Sequence, residues 1–225
     1  MFSLNIASKL PYDTQKQLVI AGDMVTVRQL IEDVDATTEI LDLAVETDLD
    51  IFELGTLAHH PNLSAAAAKK IWDVTFEMAC SDLYTSGSEY HFVTRPLIKN
   101  ALFSNDYIIS SLSKAVEEEL LEEAAIEGLF AVALRALDIP ENLAKRIIAQ
   151  CIFRLAEVLA KKDSVGIDFV IEQAVNGNPA CQNAIYARKE EAKAYALNVI
   201  GDEFAHLPME WIASIMGWKW MSSFE

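Results

Sequence analysis

The sequence is poor in the residues that make turns and disulfides. Its 225 residues include only 8 glycines and 6 prolines, too few for the many short turns of an all-β protein. The 3 cysteines, Cys80, Cys151 and Cys181, form no CxxC pair. We interpret Cys151, which lies on an apolar helical face, as a reduced thiol packed in a core, and the cysteine pattern predicts a cytoplasmic location.

Long apolar runs and an N-terminal leader are also missing. The most apolar stretch, 128–134, lies between Glu127 and Arg135. It is far shorter than the about 20 residues that cross a bilayer. The N-terminus has no basic segment followed by a long apolar run. The sequence therefore predicts neither a membrane span nor a secretory signal.

Basic residues are scarce as well. The chain has 18 Lys and Arg against 34 Asp and Glu, a net charge of −16. Such an excess repels phosphate and argues against direct binding of nucleic acid. Hydrophobic residues nevertheless make up 52% of the chain, which excludes a disordered protein. The length suits a single domain.

Apolar residues recur with the helical period of 3.6 along most of the chain. The clearest stripe covers 141–162, and Leu57 and Leu63 are further predicted core residues. The members of the stripe are Leu143, Ile147, Ile148, Cys151, Ile152, Leu155, Val158 and Leu159. Only the segment 90–94 looks like a strand. The sequence therefore predicts an all-α fold.

An internal repeat with an offset of 27 residues connects two N-terminal segments. Asp23 aligns with Asp50, and Val25 aligns with Phe52. Each segment is followed by a short linker and a second helical pattern. A pair of short helices cannot bury both apolar faces alone, so stacked pairs are needed to close a core.

These repeats resemble the leucine-rich repeat variant family of HEAT-like helical repeats, most closely over 18–72. The residues that carry the resemblance are 44–52 (AVETDLDIF) and 57–64 (LAHHPNLS). The resemblance implies a short right-handed α-solenoid in one domain, 1–225. We divide it into acidic repeats at 1–79, an irregular centre at 80–105, and C-terminal repeats at 106–225. The family's cysteine motif for an iron–sulfur cluster has no counterpart here, so no cofactor is expected.

Acidic residues concentrate in the N-terminal part. Residues 1–134 hold 8 basic and 22 acidic side chains, a net charge of −14, whereas 135–225 hold 10 and 12, a net charge of −2. No Lys or Arg occurs between Arg28 and Lys69, and nine carboxylates occupy that window. They are Glu32, Asp33, Asp35, Glu39, Asp42, Glu46, Asp48, Asp50 and Glu53. One interpretation is a solvated outer face, and the other is an acidic ridge that contacts a basic protein.

The sequence thus predicts a non-enzymatic protein-binding module that uses this acidic surface. In a second form of the hypothesis, the protein is an inhibitor that imitates a phosphate backbone and occupies the basic groove of a nucleic-acid-binding protein. The alternative is a HEAT-like enzyme acting on nucleic-acid bases, but such enzymes need a basic groove with aromatic residues. No HExxH, GxSxG, GxGxxG or P-loop motif occurs, so no catalytic residue is predicted.

The histidines do not form a metal-binding pattern. His59 and His60 point about 100° apart on a helix, and we interpret them as helix-end residues before Pro61. The Glu-x-x-His pattern of Glu203 and His206 occurs once, whereas a di-iron bundle uses it twice. No metal site is predicted.

The C-terminal segment 209–221 is dense in Trp and Met, including Trp211, Trp218 and Trp220. We interpret these tryptophans as a cap that covers the end of the last repeat. The alternative is a contact in a homodimer, because Trp and Met are favoured at interfaces.

Overall fold

A computed structural model describes residues 6–81, 89–100, 103–121, 124–150 and 154–223. Within these ranges the regular structure is helical and no β-strand occurs, which confirms the predicted all-α class. The chain packs as two compact units, Met1–Ala136 and Leu137–Glu225. Both boundaries predicted from the sequence, at 79/80 and 105/106, fall inside the first unit.

The described part of the first unit begins with a short 3-10 helix, Ala7–Lys9, followed by eight α-helices. They are α1 (Tyr12–Ile20), α2 (Met24–Ile31), α3 (Thr38–Ala44), α4 (Ile51–Ala58), α5 (Ala65–Cys80), α6 (Tyr90–Asn100), α7 (Asn105–Glu117) and α8 (Ala124–Ala136).

The 27-residue repeat is visible in how these helices start. Asp23 caps α2 by accepting from the amide of Thr26, and Asp50 caps α4 by accepting from the amide of Glu53. Thr37 and Ser64, also 27 residues apart, cap α3 and α5 in the same way. A side-chain oxygen at the N-cap satisfies an amide that has no partner within the helix. The repeat in the sequence is therefore a repeat of helix starts.

The helices of the first unit pack in two rows. In one row, α2 contacts α4, α4 contacts α6, and α6 contacts α8. In the other, α1 contacts α3 and α3 contacts α5. The apolar faces meet between the rows, where Trp72 lies edge-on to Phe130 with ring centroids 5.6 Å apart. Leu57 and Leu63 are buried in this core, as predicted.

Hydrogen bonds also join the turn after α2 to the turn after α4. His60 donates from Nε2 to the carbonyl of Asp33 at 2.8 Å, and its Nδ1 accepts from the amide of Asn62. The side-chain amide of Asn62 donates to the carbonyls of Val34 and Ala36. The bonds to Asp33, Val34 and Ala36 link the turn after α4 to the turn after α2, 26 to 28 residues earlier. The role of His60 is therefore to hold these two turns together.

The strand predicted at 90–94 is wrong, because this segment begins helix α6. Its buried residues Tyr90, Val93, Thr94 and Leu97 fall at i, i+3, i+4 and i+7, which is helical spacing. The Thr94 hydroxyl donates to the carbonyl of Tyr90 at 2.8 Å. A five-residue window of aromatic and β-branched residues was too short to reveal this period. Helix α6 also occupies much of the predicted irregular centre.

The described part of the second unit contains six α-helices and two 3-10 helices. The α-helices are α9 (Glu141–Gln150), α10 (Arg154–Ala160), α11 (Ile167–Val175), α12 (Pro179–Ala187), α13 (Lys189–Ile200) and α14 (Met209–Ile215), and the 3-10 helices are Asp202–Phe204 and Lys219–Ser223. Helix α9 contacts α10, α11 contacts α12, α12 contacts α13, and α13 contacts α14. In addition, α10 contacts α12 and α11 contacts α13.

The long stripe predicted at 141–162 belongs to two helices, α9 and α10. Leu143, Ile147, Ile148, Leu155 and Leu159 are buried, as predicted. The stripe residues at 151 and 152 lie outside the described residues, and Val158 is half-buried.

A buried arginine holds the turn after α10. Arg188 is only 6% exposed, and its Nη1 donates to the carbonyls of Ala160, Lys162 and Val165 at 3.0, 3.1 and 2.8 Å. Its Nε and Nη2 bind the carboxylate of Glu191. The bond from Arg188 lowers the pKa of Glu191. One side chain thus satisfies three main-chain carbonyls 23 to 28 residues earlier.

Candidate binding surface

The nine carboxylates of 32–53 are spread along both ends of helix α3. Glu32, Asp33 and Asp35 lie in the turn before it, and Asp48 and Asp50 lie in the segment after it. Helix α3 has 7 residues, a length of about 10 Å. The carboxylates therefore lie before α3, on it, after it and, for Glu53, in the first turn of α4.

Three of the nine carboxylates form ion pairs, which the sequence did not predict. Glu39 pairs with Lys16 at 2.5 Å, Glu46 pairs with Lys70 at 3.5 Å, and Glu53 pairs with Arg28. These cations come from α1, α2 and α5. Packing thus supplies cations from outside the window, although no Lys or Arg occurs within it.

Glu39 has two hydrogen-bond partners on α1. It accepts hydrogen bonds from Lys16 and from the hydroxyl of Tyr12. The bond from Lys16, then that from Tyr12, lowers the pKa of Glu39.

Three more carboxylates have local structural roles. Asp42 accepts from the Ser64 hydroxyl at 2.6 Å, and Asp33 accepts from the amide of Asp35 at 3.1 Å. Asp50 and Glu53 form a capping box, in which each side chain accepts from the other residue's amide. Glu53 is buried and is thus committed to the fold.

The other three carboxylates are Glu32, Asp35 and Asp48, which we call the free carboxylates. All are exposed. Within the part of the chain that the structure describes, none of them has an ion-pair partner. Val34, between Glu32 and Asp35, is 66% exposed. The free carboxylates are the members of the predicted ridge that are available to a partner.

The C-terminal tryptophans separate into inner and outer positions. Trp218 is 3% exposed and stacks on Trp220 with centroids 5.8 Å apart. The Tyr186 hydroxyl donates to the carbonyl of Met221, which ties this segment to α12. Trp211 is 66% exposed on α14. A homodimer contact stays a prediction, and Trp211 is the tryptophan placed to make it.

The histidines lie in local hydrogen bonds. His59 ends α4, where its Nδ1 lies 2.8 Å from the carbonyl of Gly55. The Nδ1 of His206 lies 2.9 Å from the carbonyl of Glu203. Among the described residues, no group of three or more His, Cys, Asp or Glu side chains is arranged to hold a metal ion.

A cleft of about 380 Å³ lies between α5 and α7. Lys70 and Lys114 line it together with Asp73 and Glu77, so its charges balance. The Tyr107 hydroxyl donates to Asp73 at 2.5 Å. Burial, followed by this bond, raises the pKa of Tyr107 to about 12. The tyrosine therefore stays protonated at neutral pH and serves as a hydrogen-bond donor.

The thiols that the structure describes are not activated. Cys181 is fully buried, and burial raises its pKa to about 12. Burial also raises the pKa of Cys80. Cys151 lies outside the described residues.

We expect Cys181 to resist alkylation in the folded protein, because the thiolate is the reactive form and is scarce when the pKa is high. The test is treatment with iodoacetamide at pH 8 and mass spectrometry of the peptides, with a denatured sample as the control. Rapid labelling of Cys181 in the native sample would contradict its burial.

Sequence reasoning missed an exposed apolar row on α2, α4 and α6. Val25 is 65% exposed, Phe52 59% and Phe92 44%. The 27-residue alignment of Val25 with Phe52 was the available signal, because equal register puts both on the same side of their helices. Phe92 was hidden by the wrong strand prediction.

Gly55 allows Phe92 to lie against α4. A Cβ at Gly55 would overlap Cδ1 and Cε1 of the Phe92 ring. We expect Gly55→Ala to lower the free energy of unfolding by about 1–2 kcal/mol, since overpacking outweighs the gain in helix propensity. Thermal unfolding measures the change. Gly55→Ala with Phe92→Ala removes the overlap, so a double variant as unstable as Gly55→Ala would refute this explanation.

Comparison with known proteins identifies no relative. The chain matches no family model, no curated protein and no solved structure. No helix of the described ranges is long and apolar enough to cross a membrane.

Proposed function

We propose that this protein is a non-enzymatic, cytoplasmic protein-binding module that contacts a basic partner through its free carboxylates. We further propose that its helix pairs form a short α-solenoid of the leucine-rich-repeat-variant or HEAT-like kind. The matching caps at Asp23 and Asp50 and at Thr37 and Ser64 support a repeat architecture. Such architectures present extended surfaces to other macromolecules.

The observation that carries the proposal is the exposure of Glu32, Asp35 and Asp48, which have no ion-pair partner among the residues that the structure describes. The other six carboxylates of 32–53 form ion pairs or local hydrogen bonds within the protein. Glu32, Asp35 and Asp48 are therefore the three that a partner can contact. The surrounding segment 1–134 has a net charge of −14, which adds a long-range field of the same sign. A field of this kind steers a basic partner toward the surface and raises the association rate.

In a narrower form of this proposal, the protein imitates the charge of nucleic acid and makes the same contacts with a smaller class of partners. In that case the basic partner is a nucleic-acid-binding protein, and the carboxylates occupy positions of its phosphates. The identity of the bound protein distinguishes this form from a general scaffold.

The experiment compares three forms of the full chain as bait in an extract of the source cells. They are the wild type, Glu32→Lys/Asp35→Lys/Asp48→Lys, and the control Asp163→Lys/Glu172→Lys/Asp202→Lys. The control replaces the same residue types at exposed positions of the second unit. Quantitative mass spectrometry measures the proteins that each bait retains.

We expect a basic protein that the wild type and the control retain and that the first variant loses by about fivefold or more. Several rim charges act together, although each exposed pair contributes only about 0–1 kcal/mol. An identical set of retained proteins for all three baits would overturn the proposed role of the free carboxylates.

A further inference from the structure

The exposed sides of α2, α4 and α6 each carry a large apolar side chain. These side chains are Val25, Phe52 and Phe92, which are 65%, 59% and 44% exposed. Three helices packed side by side at spacings of about 10 Å make the surface that carries them about 20 Å wide. We call it the aromatic face.

Direct contacts make the aromatic face continuous between α4 and α6. The Phe92 ring lies over Gly55 and contacts the His59 ring at the end of α4 in a tilted arrangement, with ring centroids 4.9 Å apart and an interplanar angle of 33°. Phe52 and His59 are seven residues apart and therefore share one side of α4. The rings of Phe92 and His59 thus extend the exposed stripe that begins at Phe52.

Cations border the apolar residues. Arg95 and Lys99 are exposed on α6, three and seven positions after Phe92, which places them on the same side of the helix. Within the described ranges neither forms an ion pair with a carboxylate. Arg28 on α2 is also exposed, whereas its partner Glu53 is buried beneath it, with side-chain exposures of 58% and 11%.

We infer that the aromatic face binds an acidic peptide segment of a partner protein that also carries large apolar side chains. The apolar side chains of the segment cover Phe52 and Phe92, and its carboxylates pair with Arg95 and Lys99. Local charge complementarity selects this occupant, because Arg95 and Lys99 lie beside the exposed Phe92 ring and have no carboxylate partner within the described ranges. Nucleic acid fits less well, because it carries a charge at every nucleotide, and the net charge of −14 over 1–134 repels it more strongly than a peptide with a few carboxylates.

This inference is independent of the proposed role of the free carboxylates. The two surfaces share no residue and require partners of opposite charge. Substitutions of the free carboxylates can therefore abolish binding of a basic partner without affecting peptide binding to the aromatic face, and the reverse also holds.

The test starts with selection from a displayed library of random peptides of about 16 residues, enough for a helix of about 24 Å. The enriched peptides are made with a fluorescent label, and anisotropy measures their affinity for the full chain. The variants are Phe52→Ala and Arg95→Gln/Lys99→Gln, and Arg146→Gln/Lys189→Gln is the control. The control removes the same two kinds of charge from exposed positions of the second unit.

We expect the enriched peptides to combine carboxylates with aromatic or large aliphatic residues. Truncation of Phe52 should weaken binding by about tenfold, as for an aromatic residue at the centre of an interface. Loss of the two cations should weaken it by a similar factor and flatten its salt dependence, whereas the control should bind like the wild type. Circular dichroism checks that each variant is folded, which we expect because all substituted side chains are exposed.

Three outcomes would overturn the inference. One is the failure of the library to yield any peptide whose affinity depends on Phe52. Another is enrichment of basic peptides on the aromatic face. The third is tighter binding of a thymidine oligonucleotide than of any peptide, with loss of that binding in Arg95→Gln/Lys99→Gln, which would assign the face to nucleic acid.

Discussion

Replacing Arg188 with Met should destabilise the second unit by about 3–5 kcal/mol. The substitution removes three hydrogen bonds from the guanidinium to the carbonyls of Ala160, Lys162 and Val165. The bonds to Ala160 and Val165 are buried, and an unsatisfied acceptor there costs about 1–3 kcal/mol. The Lys162 carbonyl also accepts from the amide of Val165 and keeps that bond. Loss of one partner from a buried charged network has a comparable total cost.

Hydrogen exchange followed by mass spectrometry is the appropriate measurement, because it locates the change. We expect amides in 154–187 to lose protection in Arg188→Met, while those in 12–58 keep it. Arg146→Met is the matched control, since Arg146 is exposed, and it should shift stability by no more than about 0.5 kcal/mol. Equal protection in both variants would show that Arg188 does not hold the turn.

Replacing Glu53 with Ala should lower the free energy of unfolding of the first unit by about 2 kcal/mol. Glu53 is buried, accepts from the amide of Asp50 at 2.9 Å and pairs with Arg28. Loss of the capping interaction costs about 1 kcal/mol, and the unpaired amide and the lost ion pair add to it.

Glu46→Ala is the informative comparison, because both residues belong to the predicted acidic ridge. Glu46 is exposed, and its pair with Lys70 spans 3.5 Å, so its removal should cost no more than about 0.5 kcal/mol. Thermal unfolding of both variants tests the difference. Equal melting temperatures would contradict the assignment of Glu53 to the fold.

The helix starts could be predicted from the sequence because their chemistry is local. Asp23 and Asp50 act on amides within three residues of themselves, and an offset of 27 residues repeats that chemistry. The buried stripe at Leu143, Ile147 and Leu155 was equally accessible, since a helical period needs no knowledge of distant contacts.

The features that the sequence did not reveal depend on contacts between distant residues. Arg188 reads as an ordinary basic residue near the start of a helix, because its carbonyl partners lie 23 to 28 residues earlier. Glu39 and Glu46 looked uncompensated for the same reason, since Lys16 and Lys70 lie outside the acidic window. Packing thus gives six of the nine carboxylates internal partners, and three are available to a binding partner.

The most direct test of the acidic binding surface is the association rate of the captured basic partner at several ionic strengths. The proteins compared are the wild type, the variant with Lys at Glu32, Asp35 and Asp48, and the control with Lys at Asp163, Glu172 and Asp202. We predict that the rate falls with added salt for the wild type and the control. The first variant should associate more slowly, with a flatter salt dependence. Identical rates and salt slopes for all three proteins would contradict the account and leave these carboxylates with a role in solubility alone.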